Sequence, residues 1–308
     1  MGESIESGRP IKDLDIEFSW YGGATKKIFD KQVELIQQDV LRALAADRFV
    51  VYLSCPISSR GGSFHDTNVE VAEATARRLT MEWGDRFWFL NPGQYQMESH
   101  QGAELIARHA KAVARDARDM KESGQGGDPP TPMPKPNGGD YLRMWTRVLV
   151  EDGGRNLGER ISAFYFMGPS DCRQFFTEGG QKSVASGVEA YFARKFTFSP
   201  AFRKQFSEPF LDAEGKPVPD QAAEAELRRK DFLRYYTIRG SAAFSRGSHD
   251  EWNLWVALNK LRLADPKLGV GQQIPGFFDG NQVDLATAES RTTAGYALAS
   301  PPAAANTR

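Results

Sequence analysis

The chain has 308 residues, enough for one large domain or two small ones, and its 40% hydrophobic residues suffice for a sizeable core. Its 39 basic and 40 acidic residues leave a formal net charge of −1, so neither polymeric nucleic acid nor a membrane is expected as a partner. Two cysteines are too few for a disulfide framework or a four-cysteine metal site. We therefore expect a globular protein in a reducing, cytoplasmic setting, with neither a leader nor a membrane span.

The N-terminal third of the chain alternates between helical and strand-like patterns. Residues 27–46 have apolar side chains at three- and four-residue spacing, which predicts an amphipathic helix. The continuous apolar run at residues 49–57 predicts a strand that is buried on both faces of a parallel sheet. Residues 68–83 predict a second helix and residues 86–93 a second strand, which completes a β-α-β unit.

The middle of the chain continues this alternation after an interruption. Residues 101–122 predict a charged helix, and residues 124–140 are so rich in glycine and proline that we interpret them as a flexible insert. A helix that begins at Asp140 leads to a third strand at residues 161–168, and another helix begins near Glu189. Strands that alternate with helices indicate an α/β fold with a mostly parallel sheet.

The C-terminal third is less regular. Residues 196–231 contain several prolines and are interpreted as an excursion that covers the core, residues 234–244 are compatible with another strand, and residues 249–264 predict a terminal helix. Beyond residue 286 the composition is typical of disorder. The predicted organisation is a single α/β domain at residues 1–264, with inserts at 101–139 and 196–231, and an extended, partly disordered tail at 265–308.

Candidate sites are the segments that follow the predicted strands, because ligands in open parallel sheets bind beyond the carboxyl ends of the strands. After the first strand, Gly61 and Gly62 allow backbone amides to face an anion, and Arg60 supplies a fork of donors suited to phosphate. An ordinary turn with an exposed arginine explains the same residues equally well. The spacings of a Walker loop and of a dinucleotide fingerprint are absent.

Two acidic residues stand at predicted helix starts. Asp140 lies at the junction between the insert and a helix, where it is a good N-cap. Glu189 follows the small residues of the segment 181–192, beside the amide groups of a first helical turn, which favour phosphate. The alternative is that Ser183 or Ser186 caps a surface helix and that Glu189 merely complements its dipole.

The order of residues around the end of the first strand is informative. Residues 52–62 run from a strand tyrosine through serine and isoleucine to Arg60 and the paired glycines. This loop resembles the phosphate-side loop of the nucleoside 2-deoxyribosyltransferase superfamily, and particularly of its 2'-deoxynucleoside 5'-phosphate N-hydrolase branch. It departs from the family pattern by one extra serine before Arg60 and by a proline where the family usually has glycine.

Two further patches carry the resemblance. The family pattern of glutamine, x, serine, three residues, glycine, x and glutamate is matched by Gln181, Ser183, Gly187 and Glu189. Asp140 corresponds to the family's second carboxylate in a looser match, because its spacing from the helical tryptophan differs. The patches cover only part of the chain and are joined by segments unlike the compact members of the family.

The resemblance implies a fold, a reaction and a set of site residues. The fold is a Rossmann-like (flavodoxin-like) three-layer sandwich with inserts and a C-terminal helical extension. The reaction is cleavage of the base–sugar bond of a nucleoside 5'-monophosphate, or transfer of its glycosyl group, with Glu189 as the nucleophile and Asp140 as the acid that protonates the base. Neither a cofactor nor a metal is needed, and a homodimer is implied. The implied substrate-binding residues are Tyr52, Ser54, Ser58, Arg60, Gly61, Gly62, Ser183, Gly187 and Tyr141.

Other interpretations stay open. A non-catalytic nucleotide sensor would keep the fold and the pocket without turnover, and a glycohydrolase of a dinucleotide such as NAD would use the inserts to hold the second half of its ligand. Tyr52, Phe64 and Tyr141 are candidates to stack on a base, although each also suits a core position. The histidines, including His249 beside Asp250 and Glu251, lack metal-ligand spacing. Cys55 is expected to be a buried, inert thiol.

Overall fold

The fold is an alternation of strands and helices. The computed structural model describes residues 4–9, 11, 14, 16–58, 61–122, 135–150, 157–207, 209–268 and 272–296. Its strands are β1 (Ile5–Gly8), β2 (Phe18–Tyr21), β3 (Phe49–Ser54), β4 (Phe87–Leu90), β5 (Ala163–Phe166), β6 (Gly276–Phe278) and β7 (Asn281–Val283). Its helices are α1 (Gly23–Ala45), α2 (His65–Trp83), α3 (His100–Glu122), α4 (Gly138–Val150), α5 (Pro169–Thr177), α6 (Val184–Phe198), α7 (Pro200–Gln205), α8 (Gln221–Arg234), α9 (Arg246–Ala264) and α10 (Leu285–Ser290).

One mostly parallel sheet organises the molecule. Among the described residues it has five strands in the order β4-β3-β5-β6-β7. β3 pairs in parallel with β4 on one side and with β5 on the other, β6 pairs in parallel with β5, and β7 is antiparallel to β6. A separate antiparallel hairpin joins β1 to β2. The predicted α/β class and mostly parallel sheet are confirmed.

The sheet is covered on both faces because β3 is apolar and fully buried from Val50 to Leu53. Val50 and Tyr52 point into a hydrophobic cluster to which α1, α4 and α9 contribute, and we call this side the Tyr52 face. Val51 and Leu53 point into a second cluster with α2, α5, α6 and α8, which we call the Leu53 face. Within the described segments, the helices are too short or too polar to cross a membrane.

Several predicted elements are confirmed with shifted ends. The predicted strands correspond to β3, β4 and β5, and the predicted helices at residues 27–46, 68–83 and 249–264 correspond to α1, α2 and α9. The helix predicted near Glu189 is α6, and the helix predicted at Asp140 is α4. Most of the predicted flexible insert at residues 124–140 lies outside the described residues.

Residues 234–244 differ from the expected strand. They form a π-helical turn at Tyr235–Arg239 and a 3-10 turn at Ala242–Phe244. The reason is visible in the burial pattern, because the adjacent side chains of Tyr235 and Tyr236 are both buried against the Leu53 face instead of alternating between two sides. The segment therefore continues α8 and does not add a strand.

The C-terminal region also differs from the expected extended tail. Residues 276–283 add β6 and β7 to the sheet, and α10 follows them. β6 lies tightly against α9, since a Cβ atom added at Gly276 would stand 2.2 Å from the ring of Trp255. Each strand has only three residues, which is too short for alternation to stand out in the sequence. Residues 297–308 lie outside the described residues.

Candidate active site

A buried carboxyl group lies at the carboxyl end of β3. Glu251, in the second turn of α9, is only 7% exposed. The hydroxyl of Tyr52 donates a hydrogen bond to its Oε1 at 2.7 Å, and the hydroxyl of Ser54 donates to its Oε2 at 2.5 Å. Tyr52 and Ser54 are two residues apart on β3, so both side chains point to the same face of the sheet. The two bonds hold both oxygen atoms of Glu251 in a defined orientation.

Burial sets the acidity of this carboxyl group. Removal from water raises the pKa of Glu251 from its ordinary value of 4.5 to about 7, and the neighbouring Asp250 also raises it. The hydrogen bonds from Ser54 and Tyr52 act in the opposite direction, because they stabilise the carboxylate. The group therefore changes its charge near neutral pH, and perturbed pKa values of this kind cluster at functional sites.

Further polar groups are buried along the same edge of the sheet. Asn91 follows β4, and Ser241 precedes Ala242, whose amide donates to the carbonyl of Met167 just after β5. Ser248 stands one helical turn before Glu251 on α9. Asn91 Nδ2, Ser241 Oγ and Ser248 Oγ are buried and have no hydrogen-bond partner among the described residues. Buried polar atoms rarely stay unpaired in native proteins, so these groups indicate a polar ligand or water at this edge.

The position of Glu251 beside the carboxyl end of β3 favours a ligand site. The chain passes from β3 to β4 on one side and then crosses to β5 on the other side, so the strand order reverses beside β3. In open α/β sheets the crevice at such a reversal, beyond the carboxyl ends of the strands, is where ligands bind. Ser54 is the last residue of β3 and contacts Glu251 there.

Asp140 is buried and holds backbone groups. Its Oδ1 accepts a hydrogen bond from the amide of Tyr21 at 2.7 Å, and its Oδ2 accepts one from the amide of Asn137 at 2.8 Å. The side chain of Asn137 in turn accepts from the amide of Asp140 at 3.0 Å, which forms a reciprocal capping arrangement at the start of α4. Asp140 thus ties the β1–β2 hairpin to α4.

Replacing Asp140 with alanine is expected to lower the free energy of unfolding by about 3 kcal/mol, because the partly buried amides of Tyr21 and Asn137 lose their acceptors. Asp220→Ala is the matched control, since Asp220 is an exposed cap that accepts one bond, from Ala223, and should cost only about 1 kcal/mol. Urea unfolding of both variants measures the difference. Equal losses would show that the buried contacts of Asp140 do not stabilise the fold.

Glu189 is exposed on α6. Ser183 caps this helix by accepting a hydrogen bond from the amide of Ser186 at 3.1 Å, as the structural alternative predicted. α6 packs on the Leu53 face, whereas α4, with Asp140, packs on the Tyr52 face. Within the described part of the chain, no hydrogen bond or ion pair joins the side chain of Glu189 to another residue. The structure therefore brings Glu251, and not Glu189, to Tyr52 and Ser54.

Three other predicted residues belong to the loop that follows β3 and contact different parts of the chain. Gly61 and Gly62 have φ values of 68° and 98°, and Gly62 packs against the backbone of Asp231 at the end of α8. Ser58 is exposed, and its carbonyl accepts from Ser63 at 2.6 Å. Arg60 lies outside the described residues.

Gly187 and Tyr141 also have structural contacts. A Cβ atom at Gly187 would stand 2.0 Å from the carbonyl oxygen of Phe176, so this glycine permits the close approach of α6 to α5. Tyr141 donates to Glu98 at 2.8 Å and accepts from the amide of Met97 at 3.1 Å, and burial raises the pKa of its hydroxyl. Tyr52 and Ser54 differ from these residues because they meet the same buried carboxyl group, that of Glu251.

Sequence reasoning considered Glu251 only as a metal ligand. The sequence places Glu251 near the start of the predicted helix at residues 249–264. It does not show that the hydroxyl partners of Glu251 lie nearly two hundred positions earlier in the chain. In the described part of the chain, no group of three or more His, Cys, Asp and Glu side chains is arranged to hold a metal ion. Comparisons of the chain with protein-family models, with curated proteins and with solved structures found no match.

Proposed function

We propose that the chain is an N-glycosidase that cleaves the base–sugar bond of a nucleoside 5'-monophosphate, or transfers the glycosyl group, with Glu251 as the carboxylate at the sugar. The observation that carries the proposal is the buried carboxyl group that Tyr52 and Ser54 hold at the carboxyl end of β3. The strand order supports it, since counting from β3 it is the 2-1-3-4-5 order of flavodoxin-like, doubly wound sheets. We infer a Rossmann-like sandwich from this order and from the two covered faces.

The chemistry follows from the properties of Glu251. Departure of a base leaves positive charge on the anomeric carbon, and an ionised carboxylate stabilises that charge or captures it as a covalent glycosyl intermediate. With a pKa of about 7, Glu251 is substantially ionised at neutral pH. Tyr52 and Ser54 fix its two oxygen atoms, so little rotamer freedom is lost when the sugar arrives. The departing base keeps the bonding electron pair and takes a proton from water. A water molecule then attacks the anomeric carbon and releases the sugar, or a second base accepts the sugar.

The start of α9 provides a place for the phosphate. Ser245 is the N-cap, Gly247 lies in the first turn, and the hydroxyl of Ser248 is buried with no partner among the described residues. Arg246 is exposed, and its side chain has no ion-pair partner within the described segments. Amide groups of a first helical turn together with a cation favour an anion. A phosphate here would lie about one to two helical turns from Glu251.

The test is base release from a panel of nucleoside 5'-monophosphates, the matching nucleosides and NAD, followed by chromatography. We expect free base from at least one monophosphate, and a kcat/KM at least about 10²-fold lower for its nucleoside, because the phosphate contributes binding energy to the transition state. Binding of a monophosphate without release of base would instead support the sensor. Release from NAD alone would support the dinucleotide glycohydrolase.

A further inference from the structure

A short segment after α10 covers the start of α9. We call residues 291–296 the strap. Asn253 donates to the carbonyl of Thr293 at 2.8 Å, and the hydroxyl of Thr293 lies 2.8 Å from Nδ1 of His249. The amide of Tyr296 donates to Oδ2 of Asp250. The strap is therefore attached to the first two turns of α9, on residues before and after Glu251 in the chain.

The strap also reaches the start of α4. The ring of Tyr296 lies over Gly138, where an added Cβ atom would stand 3.1 Å from the ring, and the same ring is 4.0 Å from the corresponding position of Gly247. Gly138 begins α4 and Gly247 lies in the first turn of α9. A half-buried aromatic ring thus bridges two helix starts, and one of them is the turn that would receive the phosphate.

We propose that the strap is a lid that controls access to the buried carboxyl edge at Glu251, and that it must move before a ligand reaches the first turn of α9. The inference rests on the site proposed above. The exposure of the strap favours a movable element, because residues 291 to 294 are exposed and Thr293 is held to α9 through hydrogen bonds with the side chains of His249 and Asn253. Lids of this kind exclude water from a reaction and open for exchange of substrate and product.

Gly295 offers a way to displace the strap by a single added methyl group. It is buried, and a Cβ atom there would stand 2.3 Å from the carboxyl group of Asp250 and 2.4 Å from the carbonyl oxygen of Arg246. The Asp250 side chain has some freedom to yield, but the helix backbone does not, so Gly295→Ala should push the strap away from α9. Gly179→Ala is the matched control, because an added Cβ atom at Gly179 meets nothing within 4 Å.

The experiment measures thiol access in the full chain and needs no turnover. Ser248→Cys places a reporter thiol in the covered turn, and the native Cys172, which is buried on the Leu53 face, reports global unfolding in the same molecules. Modification by an aromatic disulfide reagent should be at least about tenfold faster at position 248 after Gly295→Ala than in the reporter alone or with Gly179→Ala, with an unchanged rate at Cys172.

Equal rates at position 248 in all three proteins would overturn the proposal, and so would parallel acceleration at position 248 and Cys172. If Gly295→Ala does not yield folded protein, Tyr296→Ala takes its place, with an expected acceleration of about threefold because the ring contacts over Gly138 and Gly247 are lost. An unchanged rate in that variant would likewise overturn the lid. These rates do not depend on base release, so failure of the lid and failure of the glycosidase are distinguishable.

Discussion

Glu251→Gln is expected to lower kcat for base release by about 10³-fold or more. The substitution keeps the size of the side chain and leaves one oxygen and one amide group to pair with the hydroxyls of Tyr52 and Ser54. It removes the negative charge that stabilises the sugar cation and the oxygen nucleophile that captures it. The measurement is single-turnover base release under the conditions in which the wild-type chain is active.

Glu189→Gln is the matched control, since Glu189 is exposed on α6 and the same chemical change there should leave kcat within about twofold of wild type. The pH profile adds a second readout. If the ionised form of Glu251 is the active one, kcat/KM should rise with pH and level off above about 7. Loss of activity in Glu189→Gln with retention in Glu251→Gln would return the catalytic role to Glu189.

Glu251→Gln should also stabilise the fold at alkaline pH, and should raise the free energy of unfolding by about 3 kcal/mol at pH 8. Burial raises the pKa of Glu251 to about 7 in the folded chain, against an ordinary value of 4.5 that applies in the unfolded chain. Below pH 4.5 the group is protonated in both states and contributes no penalty. As the pH rises from 4.5 to 7, the unfolded chain releases this proton first, so the wild-type chain loses stability. Above pH 7 the penalty is complete.

Urea unfolding of wild type and Glu251→Gln at pH 5 and pH 8 tests this expectation. The variant should gain most of its advantage at pH 8 and little at pH 5, because glutamine carries no charge in either state. Ser54→Ala should change stability in the opposite direction at pH 8, since it removes a donor that stabilises the buried carboxylate. A Glu251→Gln variant that is less stable than wild type at pH 8 would contradict the burial cost.

Much of the sheet was predictable because three of its strands have clear local sequence patterns. β3, β4 and β5 are continuous apolar runs bounded by turn residues, and the intervening helices show regular three- and four-residue spacing. β6 and β7 are too short to be predicted, since each has three residues. Their pairing depends on tertiary contacts, such as the packing of Gly276 in β6 against Trp255. The aromatic, β-favouring residues Tyr235 and Tyr236 predict a strand, but such residues also suit the end of a helix that is buried by its neighbours, and this is what the structure has.

The site was harder to predict than the fold. Tyr52 and Ser54 were implied by the resemblance of the loop at residues 52–62, and the structure gives both an acidic partner. The sequence does not assign a catalytic role to Glu251, because nothing local distinguishes it from the adjacent Asp250. Which of the two carboxyl groups meets β3 depends on which side of α9 faces that strand. Glu189 stood out by the spacing of its neighbours, but spacing alone does not determine whether a helical carboxylate points inward.

The distance along the chain between the two halves of the candidate site has a consequence for biosynthesis. Tyr52 and Glu251 are 199 positions apart, and their contact closes a very long loop. A nascent chain that ends before α9 has the hydroxyls of β3 but lacks the carboxyl group of Glu251. The proposed site therefore forms only after α9 has been synthesised and has docked on β3.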